Sequence, residues 1–265
     1  MWAEGGFATF TIACTPKRHA GNTILAFDWG VETYATLADA DSSLAAVMNP
    51  RFLQQCETDL KAAYRTRDQK TKGSRAWCDW NRRVAKHHGK IARQRKDFHH
   101  KLSDLLVGQA TAIFTEQLRV ANMTRRPKPK PGVTSGAYLP NGAAAKAGLN
   151  KAILDGAPAA FLSMIRYKAA EAGVVYAEAP TTTLKPTQRC HACWCVAKKR
   201  LAERWHSCPC GVECSRDLNA ALVILCWGIT HYVSVFLAGV WLCNTRSQEL
   251  IARRLVQNLP LEPAA

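Results

Sequence analysis

The 265-residue sequence predicts an α/β fold, and three observations carry this prediction. Short apolar, β-branched segments typical of strands alternate with amphipathic segments typical of helices, which is the pattern of an α/β core. The hydrophobic content of 48% and the charged content of 21% are those of a globular protein. The chain is also long enough for one substantial core with a small appended module.

The strands are predicted from apolar runs that end at turn residues. Gly30 indicates a tight turn that joins two strands, with Asp28 at the end of the first, and Glu116 stands at the end of another buried run. The predicted strand regions are 7–13, 23–40 (two strands), 108–118 and 174–179.

The helices are predicted from apolar residues that recur at spacings of three, four or seven. A hairpin of two long helices is expected over 50–107, because KTKGS at 70–74 interrupts the pattern. A helix is expected over 149–172, with Gly173 as its C-cap, and another begins near Asp217. The residues expected to face inward are Leu53, Leu60, Tyr64, Trp77, Trp80, Val84, Ile91, Phe98, Leu102 and Leu105 in the hairpin, and Ile153, Leu154, Phe161, Leu162 and Ile165 in the later helix.

The net charge of +16 points to a polyanionic partner, because cations that neutralise phosphates release condensed counterions. Residues 50–107 contain 15 Lys and Arg against 6 Asp and Glu, so this segment carries +9 of the total. A solvated face is the simpler interpretation for one charged helix, but a hairpin of this charge favours nucleic-acid contact. The candidate contacts are Arg75, Arg82, Arg83, Lys86, Arg93 and Arg216.

Six of the 11 cysteines fall within the 25 residues 190–214. Cys190-His-Ala-Cys193 and Cys208-Pro-Cys210 form two close pairs, which is the spacing of a structural zinc ribbon. Because the second pair is one residue short of the commoner C-x2-C, a zinc position is left open for Cys195, Cys214 or His206. The surrounding basic residues, expected to face nucleic acid, are Lys185, Arg189, Lys198, Lys199, Arg200 and Arg204. The clustering, together with an N-terminus that has no signal-peptide pattern, indicates a reducing, cytoplasmic location.

Three acidic residues, Asp28, Glu116 and Asp217, stand at two strand ends and one helix start. Each by itself is ordinary as a turn residue, a helix cap or a solvated carboxylate. In an α/β sheet, strand ends and helix starts converge on one edge, and carboxylates there repel one another unless cations bind between them. The hypothesis is a pair of Mg²⁺ ions that hydrolyse phosphodiesters, with Arg216 at the scissile phosphate.

The motifs, in order, resemble the TnpB (OrfB zinc-ribbon) family of transposon-encoded nucleases, relatives of type V CRISPR effectors. The matching segments lie between residue 21 and about residue 224 and include AFDWGVETYATLAD, KGSRAW, AIFTEQLRVANM, TQRCHAC and CPCGVECSRDLNAA. The resemblance implies an RNase H-like RuvC core with a basic two-helix insertion and an inserted zinc ribbon. It implies catalytic, Mg²⁺-binding roles for Asp28, Glu116 and Asp217, and structural Zn²⁺ on Cys190, Cys193, Cys208 and Cys210.

The resemblance also implies RNA-guided cleavage of DNA, with no small-molecule substrate. Family members carry a long N-terminal portion, whereas 27 residues precede Asp28 here, so we expect an N-terminally truncated copy and guidance is in question. Residues 222–243 contain no Lys, Arg, Asp or Glu. A buried helix followed by a divergent tail is expected there, in preference to a membrane span.

The expected organisation follows the order of these motifs, with the RuvC-like core interrupted twice along the chain. The segments are an N-terminal remnant (1–20), a first core segment (21–49), the basic hairpin (50–107), a second core segment (108–186), the zinc ribbon (187–214), the last core helix (215–230) and an apolar tail (231–265). The leading function is a metal-dependent DNA endonuclease associated with transposition. The alternatives are a non-catalytic nucleic-acid-binding remnant and a fragment of a type V CRISPR effector.

Overall fold

The computed structural model describes residues 18–39, 44–132, 134, 136–200 and 202–239. The strands are β1 (Thr23–Trp29), β2 (Thr33–Asp39), β3 (Leu44–Met48), β4 (Ala110–Glu116), β5 (Lys130–Pro131), β6 (Tyr138–Leu139), β7 (Val175–Ala179), β8 (Trp205–Ser207) and β9 (Glu213–Ser215). The helices are α1 (Phe52–Gln55), α2 (Glu57–Asp68), α3 (Arg75–Gln109), α4 (Val120–Met123), α5 (Ala143–Gly156), α6 (Pro158–Ala172), α7 (Thr181–Leu184) and α8 (Arg216–Gly239). The predicted strand at 7–13 and most of the predicted tail lie outside the described residues.

The chain divides into two compact units. Among the described residues, the helical unit comprises those in the ranges 18–21, 48–109 and 118–174, and the sheet unit comprises those in the ranges 22–47, 110–117 and 175–239. The mixed α/β class expected from the sequence is confirmed.

The sheet unit is built on five strands in the order β3-β2-β1-β4-β7. β1 pairs antiparallel with β2 and parallel with β4, and β4 pairs parallel with β7. Helix α8 packs across β1, β2 and β4. Because successive side chains of a strand point to opposite faces, the residues of β1 and β4 that share a core with α8 fall at alternate positions. Those residues include Ile24, Ala26, Ala112 and Phe114 on the strands, and Ala221, Val223 and Ile224 on the helix.

The helical unit contains the predicted hairpin. Helices α2 and α3 pack against each other, and the interruption between them coincides with KTKGS. Val84, Ile91 and Leu102 are buried as expected, but Leu105 is 55% exposed and Leu106 is buried in its place. The reason is helical phase, since residue 106 follows Leu102 by four and continues its face of the helix.

The prediction of one continuous helix over 149–172 is wrong, because α5 and α6 are separate helices. Ala157 between them has φ 44°, in the left-handed region. Pro158 causes the break, since it has no N–H to donate and its ring disfavours the α conformation at the preceding residue. The break also changes the helical phase, so that Ile153 is buried while Leu154 is 58% exposed. Gly173 ends α6 as predicted.

A buried lysine joins α3 to α6 inside the helical unit. The Lys168 ammonium donates to the His100 carbonyl at 2.7 Å and to the Ser103 hydroxyl at 2.8 Å, and it lies 3.0 Å from an Asp104 carboxylate oxygen. A buried ammonium is tolerated only when its charge and donors are satisfied, as they are here.

The apolar run that begins at Leu222 forms the body of α8. Within the described residues, which end at Gly239, no helix is long and apolar enough to cross a bilayer.

The first prediction concerns Gly228 of α8, where a Cβ atom would lie 2.2 Å from the buried Phe114 ring. We expect Gly228→Ala to destabilise the protein by about 1–3 kcal/mol, because overpacking outweighs the roughly 1 kcal/mol that alanine contributes to a helix. Gly148→Ala in α5 is the matched control, since nothing lies within 4 Å of its added methyl group. Chemical denaturation of both variants measures the effect, and an unchanged or raised stability of Gly228→Ala contradicts the predicted clash.

Candidate active site and cysteine cluster

Two of the three acidic residues are brought together by the pairing of β1 with β4. Phe27 is the register partner of Thr115, so Asp28 and Glu116 follow at the same level on neighbouring parallel strands. Asp28 lies two residues after Ala26, and Glu116 lies two residues after Phe114. Because alternate residues of a strand share a face, both acidic residues lie on the face whose core residues pack beneath α8. The carboxylates therefore share one face and one end of the sheet.

The third acidic residue enters this end of the sheet from the first turn of α8. The Ser215 hydroxyl accepts a hydrogen bond from the Leu218 N–H at 3.3 Å, which caps the start of the helix. Asp217 lies in that turn, where the helix dipole favours a negative charge. The neighbouring Arg216 places its Nε 3.5 Å from Asp217 Oδ1, and its guanidinium also donates to the Glu203 carbonyl at 3.0 Å.

The electrostatics of the site show that the carboxylates interact. Burial raises the pKa of Asp28 well above its ordinary value, and the negative charges of Glu116 and Asp217 raise it further, while Arg216 lowers it. Burial also raises the pKa of Glu116 to about 7. Ionisation of these carboxylates therefore costs free energy in the folded protein, and a bound cation would offset that cost.

The donor set fits a hard divalent cation. Carboxylate oxygens are the ligands that Mg²⁺ takes from proteins, and the rest of its shell is water or phosphate oxygen. Asp28 is buried and Asp217 is part-exposed, with 31% of its side chain accessible. The site is therefore buried at Asp28 and open to solvent at Asp217.

The second candidate metal site is a cluster of four cysteines on the ribbon. The sulfur atoms of Cys190, Cys193, Cys208 and Cys210 all lie within 4.8 Å of one another. Cys190 and Cys210 are 3.7 Å apart, and Cys193 and Cys208 are 3.5 Å apart. Tetrahedral zinc with Zn–S bonds of about 2.3 Å requires S–S separations of roughly 3.8 Å, so the cluster can hold this ion.

The other ribbon residues considered as ligands stand apart from this cluster. Cys195 is exposed, and Cys214 is half-buried. His206 is buried and contacts the Lys199 ammonium through Nδ1. Among the described residues, the four cysteines of C-x2-C and C-x-C form the one group of metal-type side chains that converges this closely.

Two residues, one on the ribbon and one on α8, have roles that sequence reasoning missed. Arg189, expected to face nucleic acid, instead donates to the carbonyls of Leu184 at 2.8 Å and Trp194 at 2.9 Å, which closes the first knuckle on itself. Asn219 of α8 is buried and hydrogen-bonded to that knuckle. The available signal for Asn219 was a polar amide between the apolar residues Leu218 and Ala220.

The basic residues predicted on the hairpin all lie exposed on α3. At 100° per residue, Arg75, Arg82, Lys86 and Arg93 fall within about 40° of one another around the helix axis. Val84, Ile91 and Leu102 are buried on the opposite side of the helix. Arg83 lies outside the stripe, with its guanidinium 4.3 Å from the centre of the Trp80 ring.

Two family models match the chain. Residues 9–126, which include Asp28 and Glu116, match OrfB_IS605, described as "Probable transposase". Residues 159–224, which include the four clustered cysteines and Asp217, match the Cas12f1-like TNB domain. The resemblance to the OrfB family is confirmed.

OrfB relatives with similar sequences carry the name "Putative RNA-guided DNA endonuclease". The one from Streptomyces pristinaespiralis is 31% identical over 215 residues, which cover 79% of this chain and 46% of the relative. The one from Escherichia coli K12, InsQ, is 31% identical over 214 residues, covering 79% and 50%. The chain thus spans about half the length of these curated relatives. A Cas12f1–sgRNA–target DNA complex matches with a TM-score of 0.49 and 16% identity, covering 81% of this chain and 51% of that one.

The second prediction concerns the cysteine cluster of this OrfB relative. We expect Cys210→Ser to lose most of the roughly one Zn²⁺ per chain that a four-thiolate site binds, because one strong ligand is removed. Cys195→Ser is the matched control and should retain its zinc, since Cys195 lies outside the cluster. Metal analysis after dialysis against a weak chelator measures both. Equal zinc loss in the two variants would contradict the ligand set.

The third prediction concerns the raised pKa of Glu116, about 7. Without Mg²⁺, the folded protein holds this proton more tightly than the unfolded chain, whose glutamate pKa is about 4.3. The stability contributed by the proton is therefore complete below that unfolded pKa and is lost as pH rises through about 7. We expect the melting temperature of Mg²⁺-free protein to fall between pH 5.5 and pH 8, and Mg²⁺ to raise it at pH 8.

Glu116→Gln should weaken this pH dependence, because the glutamine side chain has no proton to lose. Glu213→Gln is the control, since Glu213 is exposed on β9 of the same unit. Thermal melts of the three proteins at each pH make the comparison. A Glu116→Gln melting curve with the same pH dependence as the parent excludes the buried carboxylate as its cause.

Proposed function

We propose that this chain is the nuclease portion of an RNA-guided DNA endonuclease associated with transposition, with a RuvC-like core of the RNase H type. The observation that carries the proposal is the meeting of Asp28, Glu116 and Asp217 at one end of the sheet. Their mutual effect on the pKa of Asp28 supports a cation-binding site. An isolated cap or a solvated carboxylate would have neither this burial nor these neighbours.

The three carboxylates have distinct tasks in this proposal. Asp28 on β1 is the buried ligand, and Glu116 lies beside it on the paired strand β4. Asp217 is the third ligand and lies on the part of the site that is open to solvent. When bound, Mg²⁺ supplies Lewis-acid chemistry, activation of the attacking water and stabilisation of the leaving oxygen. Arg216 holds positive charge next to Asp217, where it would orient the scissile phosphate.

The four cysteines hold structural Zn²⁺ in this proposal, because all four positions of a tetrahedral ion are taken by thiolates and none is left for substrate. Burial raises the pKa of Cys190, but hydrogen bonds from the backbone N–H groups of Cys193 and Ala192 outweigh it, and the net pKa is lowered. A thiol already biased toward the thiolate is suited to metal binding.

Nucleic acid would contact the exposed stripe of α3. Along one helix, the stretch from Arg75 to Arg93, which includes Arg82 and Lys86, rises by about 27 Å, which is long enough to follow several phosphates. Arg83 extends the stripe to one side. DNA as the target and RNA as the guide are supported by the names of the OrfB relatives, of whose length this chain spans about half.

The fourth prediction is a cleavage experiment on labelled single-stranded and double-stranded DNA, with and without Mg²⁺. We expect Mg²⁺-dependent cutting, and we expect Asp28→Asn to reduce it by more than about 100-fold, since loss of an outer-shell partner alone costs 10- to 100-fold. Asn has the shape of Asp without its buried charge, so the variant should melt no lower than the parent at pH 8. Glu213→Gln is the control that should cut normally.

The outcomes separate the two classes of function. Cutting that survives Asp28→Asn would remove the carboxylates from the mechanism. Salt-sensitive DNA binding without any cutting would favour a non-catalytic nucleic-acid-binding protein. In that case, Arg82→Ala and Lys86→Ala should still weaken binding and reduce its salt dependence, because each removes one phosphate contact.

A further inference from the structure

Asn219 lies on α8 two residues after Asp217 and is fully buried. Its side-chain oxygen accepts a hydrogen bond from the His191 backbone N–H at 3.2 Å and lies 3.1 Å from His191 Nδ1. Its side-chain nitrogen donates to the carbonyls of Arg189 at 2.6 Å and Pro186 at 3.5 Å. The amide thus has hydrogen-bond partners on both its oxygen and its nitrogen, and all of them lie on one short segment.

That segment is the first knuckle of the ribbon. Cys190 lies between Arg189 and His191, and the Asn219 side chain makes hydrogen bonds to the backbone of both of these residues. Arg216 also joins α8 to the ribbon, because its backbone N–H donates to the Arg204 carbonyl at 2.9 Å and its guanidinium donates to the Glu203 carbonyl at 3.0 Å. The first turn of α8 is therefore fastened to the ribbon at several points, and Asn219 supplies most of the side-chain bonds.

Helical geometry gives these bonds a consequence for the active site. Residues two apart on a helix point about 200° apart around its axis, so Asn219 and Asp217 lie on opposite sides of α8. The knuckle holds one side, while the carboxylate is presented on the other. A rotation of the first turn that moved Asp217 away from Asp28 and Glu116 would break the hydrogen bonds of Asn219.

We propose that Asn219 is a positioning residue that couples the cysteine cluster to the carboxylate site. The four cysteines, when they share a metal ion, hold the knuckle in one conformation, and Asn219 transmits that order to the turn that carries Asp217. Affinity for a divalent cation at the carboxylates therefore depends on zinc at the cysteines, and the hydrogen bonds of Asn219 link the two sites. This inference rests on the proposed function, because it requires Asp28, Glu116 and Asp217 to bind the cation.

The test measures Mn²⁺ affinity, with Mn²⁺ as the paramagnetic substitute for Mg²⁺, in zinc-loaded and zinc-stripped protein. Electron paramagnetic resonance of free Mn²⁺ reports the dissociation constant without any cleavage. We expect zinc removal to weaken Mn²⁺ binding by about 10-fold in the parent, within the range typical of coupled sites. In zinc-loaded Asn219→Ala we expect the same weakening, and zinc removal should then cause no further loss.

This pattern distinguishes coupling from a merely structural effect. If Asn219→Ala only loosened α8, zinc removal would still cost its full 10-fold in the variant, and the inference would be overturned. It would equally be overturned if zinc removal left the parent's Mn²⁺ affinity unchanged, a result that requires no variant. Asn219→Ser, which is smaller but keeps a polar group, serves if Asn219→Ala does not fold.

Two controls complete the experiment. Asn150→Ala removes an amide that donates to the Thr124 carbonyl at 2.7 Å in the helical unit, and it should leave both Mn²⁺ affinities at the parent values. Asp28→Asn should abolish the measured Mn²⁺ site. If Asp28→Asn binds Mn²⁺ like the parent, the proposed active site fails, whereas a failure confined to zinc dependence leaves that proposal standing.

Discussion

The mutual repulsion of three carboxylates at one end of a sheet is the constraint on which the rest of the sheet unit depends. Asp28 is buried beside Glu116, and both pKa values are raised by that burial. A chain that only had to fold would place apolar residues there, because uncompensated buried charge is expensive. The arrangement is consistent with a site whose stable form includes bound cations.

Helix α8 contributes to this arrangement in three ways along its length. Its first turn presents Asp217, the same turn is fastened to the ribbon through Asn219, and its later turns cover the sheet through Ala221, Val223 and Ile224. Gly228 permits the close approach to Phe114 that holds the helix on the strands. Small residues on this helix therefore allow it to lie close against the strands that carry Asp28 and Glu116.

The two units divide the chemistry between them. The sheet unit contains both candidate metal sites, and the helical unit contains the basic stripe of α3 opposite its buried face. Each unit has its own buried core, and the helical unit also satisfies a buried lysine and a buried aspartate internally, through Lys168 with Asp104 and Arg95 with Asp155. The candidate metal sites and the basic stripe therefore lie in different compact units of the chain.

Local pattern in the sequence was sufficient for much of this protein. The alternation of strands and helices, the hairpin break at KTKGS, the cap at Gly173 and the two cysteine pairs depend on interactions between residues close in sequence, and they could be predicted from it. The strand ends at Asp28 and Glu116 and the helix start at Asp217 were predicted for the same reason. Pro158 in the sequence indicated the break between α5 and α6. The apolar periodicity continues past this residue, however, and for that reason a single helix was predicted.

Only the tertiary structure decided which of these residues meet. The parallel pairing of β1 with β4 joins residues 88 apart, and the choice of Cys210 over Cys195 and Cys214 depends on how two knuckles fold against each other. The role of Asn219 depends on which side of α8 the ribbon covers, and helical periodicity alone does not specify that side. Sequence determined the elements and the chemistry available at their ends, because those depend on neighbours along the chain. Structure decided the convergence, because contacts between distant segments depend on how the whole sheet is ordered.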